Sequence, residues 1–131
     1  MDLNFEHDHS PFDRLLGLRY EEASGERVVA VLPVTVDLLQ DLGIVHGGVY
    51  ATAVEATASV GADLWLGAEG HAVGLSNDTQ VRREVRTGEL RVEATPLERG
   101  HATQLWQVAI TDEDGRLVAH GRVLLKNLRE A

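Results

Sequence analysis

The stretch from His46 to Leu66 constrains the fold of this chain more than any other. It opens with His-Gly-Gly and continues mainly with Ala, Val, Thr, Ser and Gly. Small residues nearly all round a helix predict that a sheet encloses it, since a surface helix would carry a charged outer face. Glu55 is the one charged residue between His46 and Asp63. A lone carboxylate in so apolar a helix is costly to bury without a partner, so Glu55 is the first candidate for chemistry.

Length, charge and cysteine content narrow the class of protein. A chain of 131 residues is long enough for one domain with its own core. The formal net charge of −9 argues against nucleic acid and anionic membranes as partners. The absence of cysteine excludes disulfides, Cys-ligated metals and a thiol nucleophile. The acidic N-terminus does not resemble a signal peptide, and no apolar run could span a bilayer, so we expect a cytoplasmic protein.

The order of predicted elements is that of a single α+β domain. Residues 1–10 are expected to form a flexible N-terminal tail, 11–127 the domain, and 128–131 a C-terminal tail. A short helix and two strands precede the long helix, and alternating strands joined by tight turns follow it. One long helix and a run of antiparallel strands predict a helix packed on one face of a curled sheet.

Polar residues and a Gly-Gly pair cluster at the start of the long helix. A helix N-terminus presents unpaired N–H groups and a partial positive charge, so the N–H of Gly47, or of the glycine after it, could polarise a carbonyl oxygen. Glu55 could then activate a water molecule or attack the polarised carbon. Ser59, one turn further on, could hold that water or orient the carboxylate, and Gln40 and His46 precede the helix.

The spacing between Gly47 and Glu55 limits how such a site can be built. At ~1.5 Å per residue the two lie roughly 12 Å apart along one helix, so one chain cannot bring both to one small carbonyl group. Two antiparallel helices from two subunits can. If this constellation is catalytic, the sequence therefore predicts a homodimer with shared sites.

Structural explanations are open for the same residues. His46 could simply cap the helix, Gln40 could be an ordinary loop residue, and Ser59 could serve packing alone. The sequence lacks the motifs of several other chemistries. It has no Gly-x-Ser-x-Gly elbow, no metal-ligand spacing in the domain, no P-loop and no dinucleotide fingerprint.

Arginine is unevenly placed along this acidic chain. No Lys or Arg lies between Arg27 and Arg82, after which Arg82, Arg83, Arg86 and Arg91 follow closely. A codon preference for arginine accounts for this cluster as well as a small anion site does. The planar guanidinium group suits a phosphate.

Recognisable motifs occur at several places in the chain. They are Val45-His46-Gly47-Gly48-Val49 followed by Glu55, then Gly74-Leu-Ser-Asn-Asp-Thr-Gln80, Val85-Arg-Thr-Gly88-Glu-Leu-Arg-Val-Glu-Ala-Thr-Pro96 and Asp114-Gly-Arg-Leu-Val-Ala119. Together they resemble the hotdog-fold acyl-CoA thioesterases, over roughly residues 12 to 127. The branch that looks most similar is that of the phenylacetyl-CoA and 4-hydroxybenzoyl-CoA thioesterases.

This resemblance implies an assembly and a set of roles. It implies a long helix wrapped by a curved antiparallel sheet, dimers with a continuous sheet, and dimers that pair into a homotetramer. By position, Gln40 and His46 would contact the thioester, and the Gly47 N–H would polarise its carbonyl. Glu55 of the facing subunit would be the base or nucleophile, with Ser59 assisting. Much of the family has Asp at the acid position, and Glu here looks more like the branch that acts on aromatic CoA thioesters.

The resemblance also assigns a use to the arginines, because coenzyme A carries phosphates. The residues that would meet its nucleotide end by position are Arg82, Arg83 and Arg86, with Arg99 and His101 as weaker candidates. Glu84 lies inside this cluster where relatives often have Pro. For the wall of the acyl pocket we expect three residues of the long helix, Tyr50, Leu64 and Trp65.

The predicted function is hydrolysis of an acyl-CoA thioester, with an aromatic acyl group as one candidate. The products would be a free acid and CoA, with no metal or redox cofactor, since CoA is part of the substrate. One alternative is a hotdog module that binds an acyl-CoA or aromatic ligand without turning it over. Another is a hotdog dehydratase or hydratase, which usually needs an acid and a His with different spacing.

Overall fold

One long helix lies against a single curved sheet. The computed structural model describes residues 10–129, in which the helices are α1 (Pro11–Leu16) and α2 (Gly47–Leu66), with 3-10 turns at Val36–Leu38 and Gly67–Glu69. The strands are β1 (Arg19–Ala23), β2 (Val28–Pro33), β3 (Gly70–Val81), β4 (Glu89–Arg99), β5 (Thr103–Thr111) and β6 (Leu117–Arg129). The predicted α+β architecture is confirmed.

All strands pair antiparallel in the order β1-β2-β4-β5-β6-β3. β2 lies inside the sheet, between β1 and β4, which explains why its residues are apolar on both faces. The long strands β4, β5 and β6 alternate buried and exposed residues, so only one of their faces meets the helix. β1 and β3 are the two edges of the sheet.

The core forms where the inner face of α2 meets β5 and β6. Trp106 of β5 is fully buried, and a Cβ on Gly61 would lie 2.5 Å from its ring, so the glycine allows the helix to approach this closely. Gln104 is fully buried as well. Its amide donates to the Ala62 carbonyl (3.2 Å) and to Asn127 Oδ1 (2.9 Å), and it accepts the Trp106 Nε1–H (2.8 Å). The polar groups of this contact are therefore paired, as burial requires.

The two ends of the domain differ from the expected boundaries. β6 runs to Arg129, two residues beyond the expected end at 127, because Arg129 still pairs with Gly70 of β3. Ser10, expected in the N-terminal tail, is instead the N-cap of α1 and accepts the Asp13 N–H at 3.0 Å. The rest of the expected N-terminal tail, residues 1–9, and residues 130–131 lie outside the described residues.

Candidate active site

A closed loop leads the chain into α2. The His46 N–H donates to the Leu38 carbonyl (2.9 Å) and the Gln40 N–H to the Ile44 carbonyl (2.8 Å), so the two sides of the loop pair like a short hairpin. Leu38 thus faces His46, and Gln40 lies two residues beyond Leu38. In an extended chain two residues span roughly 7 Å, so Gln40 lies about that far from Leu38. Its side-chain Oε1 accepts the Leu42 N–H of the same loop, which leaves its Nε2 amide group for a ligand.

Among residues 10–129, one N–H group in the first turn of α2 has no hydrogen-bond partner. His46 is the N-cap, and its Nδ1 accepts the Gly48 N–H at 2.8 Å, so the neutral ring carries its proton on Nε2. The Gly47 N–H donates to none of residues 10–129. A Cβ on Gly47 would have no atom within 4 Å. Of the two glycines that could polarise a carbonyl, Gly47 is thus the one with a free donor and open space beside it.

Glu55 is exposed in the single chain, whereas the apolar sequence around it suggested burial. The outer face of α2 opens onto a cavity of about 730 Å³, which Glu55 and Ser59 line together. Their predicted position on one face of the helix is confirmed. Phe12 of α1 closes part of the cavity, and Asp63 lines it further along α2. A ligand in this cavity can contact the carboxylate directly.

The edge strand β3 contacts the Glu55 carboxylate. Asn77 Nδ2 donates to Glu55 Oε1 (3.2 Å) and to the Ala51 carbonyl (3.0 Å), and the Thr79 hydroxyl donates to Asn77 Oδ1 (2.6 Å). A Cβ on Gly74 would lie 2.9 Å from Glu55 Oε2. Sequence reasoning placed these residues in a motif but missed their contact with Glu55, because the pattern of β3 does not show which face meets the helix.

The residues predicted to hold coenzyme A lie at opposite ends of the sheet. Arg82, Arg83 and Arg86 follow β3 and precede β4, whereas Arg99 and His101 lie at the far end of β4. A strand of this length separates the two groups by roughly 30 Å. One chain therefore cannot gather all five around one nucleotide.

Two of these arginines make contacts that stabilise the fold. Arg86 donates to the Leu42 carbonyl at 2.9 Å and so ties down the loop before α2. Arg99 pairs with Glu26 (2.9 Å), and its guanidinium lies 5.4 Å from the centre of the Trp65 ring. Both contacts join separate parts of the chain, so they account for these two residues without a ligand.

Arg82 and Arg83 lie nearer the start of α2. Together with Tyr50 they line a second cavity of about 200 Å³. Arg82 Nε donates to His120 Nε2 at 3.0 Å. The Arg83 guanidinium makes neither a hydrogen bond nor an ion pair with residues 10–129. Arg83 is thus the member of the cluster whose whole guanidinium is available to an anion, while Arg82 keeps its two terminal NH2 groups for one.

The residues expected in the wall of the acyl pocket do not line the cavity at Glu55. Tyr50 faces the sheet, where burial raises the pKa of its hydroxyl to about 12. Leu64 packs at the border of the core, and Trp65 lies beside Arg99. This prediction is wrong for that cavity, since none of the three is among its lining residues. The apolar wall comes instead from Phe12, Ala51, Ala56 and Val60.

The described part of the chain lacks two further features, a metal-binding cluster and a membrane-spanning helix. Residues 10–129 contain no group of three or more His, Asp or Glu side chains that could hold a metal ion. None of their helices is both long and apolar enough to cross a membrane.

Comparisons with known proteins agree with this architecture. Residues 42–119 match the model of the thioesterase superfamily. The 1,4-dihydroxy-2-naphthoyl-CoA hydrolase of Escherichia coli K12 is 33% identical, over 82% of this chain and 79% of that protein. The structure of Rv1847/MT1895 from Mycobacterium tuberculosis has a TM-score of 0.91 at 44% identity and covers 93% of this chain and 99% of that one. Thioesterase HI1161 from Haemophilus influenzae has a TM-score of 0.83 at 30% identity, with coverages of 87% and 80%.

A long helix held in a curved antiparallel sheet is the hotdog fold, and the relatives named as thioesterase and CoA hydrolase show a thioester hydrolase. The chain belongs to the thioesterase superfamily. The resemblance drawn from its motifs and the predicted enzyme class are thereby confirmed.

Proposed function

We propose that this protein hydrolyses an acyl-CoA thioester to a free acid and CoA. The observation that carries the proposal is the Glu55 carboxylate, open to a large cavity, on a helix whose first N–H, at Gly47, donates to no group in residues 10–129. The N–H would polarise the thioester carbonyl. Glu55 would either take a proton from the attacking water and pass it to the departing CoA thiolate, or attack the carbonyl carbon itself. The second route forms an anhydride with the acyl group, which water then hydrolyses to the free acid, and the CoA thiolate takes a proton from solvent.

The choice of substrate class rests on two observations. A relative at 33% identity is named a CoA hydrolase, and its acyl group is an aromatic naphthoyl. The acid in this chain is Glu, as in the branch that acts on aromatic CoA thioesters. We therefore propose an aromatic acyl-CoA as the first substrate to test.

The site would be completed by a second subunit. β3 is an edge strand, and its side chains Val73 and Leu75 are 41% and 54% exposed. Such an edge is a template for pairing with another strand. Antiparallel pairing of two β3 strands would run two α2 helices past each other, with Glu55 of one facing Gly47 of the other. Further pairing into a homotetramer is part of the proposal, and sedimentation velocity would measure it.

A shared site also suggests how coenzyme A is held. Arg83 and Arg82 lie at the end of the sheet where α2 begins, so they are the first candidates for its phosphates. Arg99 and His101 lie at the other end, and we propose that they could reach the same nucleotide only from the partner subunit. Replacing Arg83 with Ala should raise KM for an acyl-CoA far more than KM for a short thioester without the nucleotide.

The proposal is tested by trapping the released thiol across aromatic, short-chain and long-chain acyl-CoAs. We expect turnover on at least one class, and a loss of about 10³-fold or more in Glu55→Gln, which removes the carboxylate at constant size. Glu21→Gln, on the exposed side of β1, is the matched control and should keep full activity. Tight acyl-CoA binding in calorimetry with no thiol release would instead assign the protein as a binding module.

A further inference from the structure

We propose that strand β3 positions the Glu55 carboxylate for reaction. Asn77, oriented by Thr79, holds one carboxylate oxygen, and the missing side chain at Gly74 leaves the space that the other oxygen occupies. This inference rests on the proposed function of Glu55, and it adds three positioning residues to that site.

A β-bulge in β3 interrupts the alternation of its side chains and places Gly74 and Asn77 on the same face of the strand. Residues two apart in a strand share a face, whereas residues three apart do not. The pairing of β3 with β6 shifts register between Gly74 and Ser76, so Leu75 is an extra residue in the ladder. As a result Gly74 and Asn77 both face α2, and both lie within contact distance of Glu55.

The orientation of the Asn77 amide is fixed by its neighbours. The Ala51 carbonyl can only accept a hydrogen bond, so Nδ2 must be the end that faces α2, and the Thr79 hydroxyl donates to Oδ1 at the other end. Nδ2 has one N–H for the Ala51 carbonyl and one for Glu55 Oε1. A donor held in this way stabilises the carboxylate and selects one orientation of it.

The second carboxylate oxygen is left for the reaction. Glu55 Oε2 accepts no hydrogen bond from residues 10–129 and lies where a side chain at position 74 would be. A methyl group there would come within 2.9 Å of Oε2. Because that oxygen is the end of a flexible side chain, alanine at 74 should displace the carboxylate and leave the fold intact.

The test measures kcat and KM separately in variants of β3. Asn77→Asp replaces the donor with a like charge at nearly constant shape, and we expect kcat to fall roughly 10- to 100-fold with KM changed less than about threefold. Thr79→Val removes the orienting hydroxyl and should lower kcat by about 3- to 10-fold, and Thr79→Ser, which keeps it, should recover most of that loss. Gly74→Ala should lower kcat without lowering the melting temperature.

Two substitutions serve as matched controls. Asp78→Asn changes the neighbouring residue of β3, whose side chain points to the opposite face. Gly100→Ala adds a methyl group at a remote turn, where its nearest atom would be the Thr103 carbonyl oxygen at 3.4 Å. Both should keep the wild-type kcat.

Wild-type kcat in folded Asn77→Asp and Gly74→Ala would overturn the inference. A wild-type protein that hydrolyses no thioester would contradict the proposed function instead. In that case a crystal structure of Asn77→Asp tests the positioning directly. The Glu55 carboxylate should turn away from β3, and an unmoved carboxylate would overturn the inference.

Discussion

The two faces of α2 are built in opposite ways. The inner face, which carries Tyr50 and Gly61, is closed by the sheet and fits against Trp106 without space for a methyl group. The outer face, which carries Glu55 and Ser59, opens onto a cavity bordered by the edge strand and by Phe12 of α1. The chain therefore encloses its structural face by itself. Residues 10–129 leave its chemical face open, and we expect a ligand or a second subunit to enclose that face.

The largest effect on activity should come from loss of the Gly47 N–H at the start of α2, which donates to none of residues 10–129. Gly47→Pro removes that N–H, and proline is well tolerated at the first position of a helix. We expect activity to fall about 10²- to 10³-fold, the usual cost of one lost oxyanion donor, with an unchanged melting temperature. Gly47→Ala keeps the N–H and should lose far less activity. Equal losses in the two variants would show that the N–H is not used.

The next largest effect should be a loss of stability when the close contact between Gly61 and Trp106 on the inner face is disturbed. Gly61→Ala would place a methyl group 2.5 Å from the Trp106 ring. We expect overpacking to lower the free energy of unfolding by about 1–3 kcal/mol, measured by urea denaturation, although alanine favours a helix. Ser59→Ala, on the open face of the same helix, should change it by less than about 0.5 kcal/mol. A stabilised Gly61→Ala would mean that the inner face is not closed.

Removal of the buried Gln104 side-chain amide beneath α2 should lower the free energy of unfolding by a similar or smaller amount. Gln104→Leu leaves the Trp106 Nε1–H and the Ala62 carbonyl without their partner. Unpaired buried groups of this kind cost about 1–3 kcal/mol of unfolding free energy. Gln107→Leu, on the exposed face of the same strand, is the control and should cost less than about 0.5 kcal/mol.

The smallest effect at neutral pH concerns Tyr50. Its hydroxyl is buried and has no hydrogen-bond partner among residues 10–129, so Tyr50→Phe should change stability by less than about 1 kcal/mol at pH 7.

The same substitution should change the alkaline limb of the stability curve. Burial raises the pKa of Tyr50 from 10.0 to about 12, so its contribution is complete below pH 10 and is lost as the pH rises towards 12. Tyr50→Phe should lack this part of the alkaline loss in urea unfolding at several pH values. Parallel curves for the two proteins would show that Tyr50 ionises equally easily when folded.

The helix and the sheet were predictable from the sequence because both depend on the local pattern of apolar and polar residues. The run from Gly47 to Leu66 is the observed helix, and the alternation in β4 to β6 matches the observed burial. Small residues nearly all round α2 also suggested a buried Glu55, and the structure shows it exposed. The pattern could not reveal that the sheet covers only one face of the helix.

The parts of the site that depend on register were not predictable. The contact of Asn77 with Glu55 depends on one extra residue in the pairing of β3 with β6, which no local pattern shows. The separation of Arg83 from Arg99 likewise depends on where β4 begins and ends. The spacing of Gly47 and Glu55 was predictable, because a helix fixes it.

We propose that two copies of α2 form each active site, and mixed dimers of two inactive variants test this arrangement. Glu55→Gln and Gly47→Pro should each be nearly inactive alone. In a mixed dimer one site combines both defects, and the other combines the intact Glu55 of one subunit with the intact Gly47 of its partner. Random mixing after co-expression should therefore restore about one quarter of wild-type thiol release. No activity above that of the separate variants would contradict the account, since sites contained within one chain could not be repaired in this way.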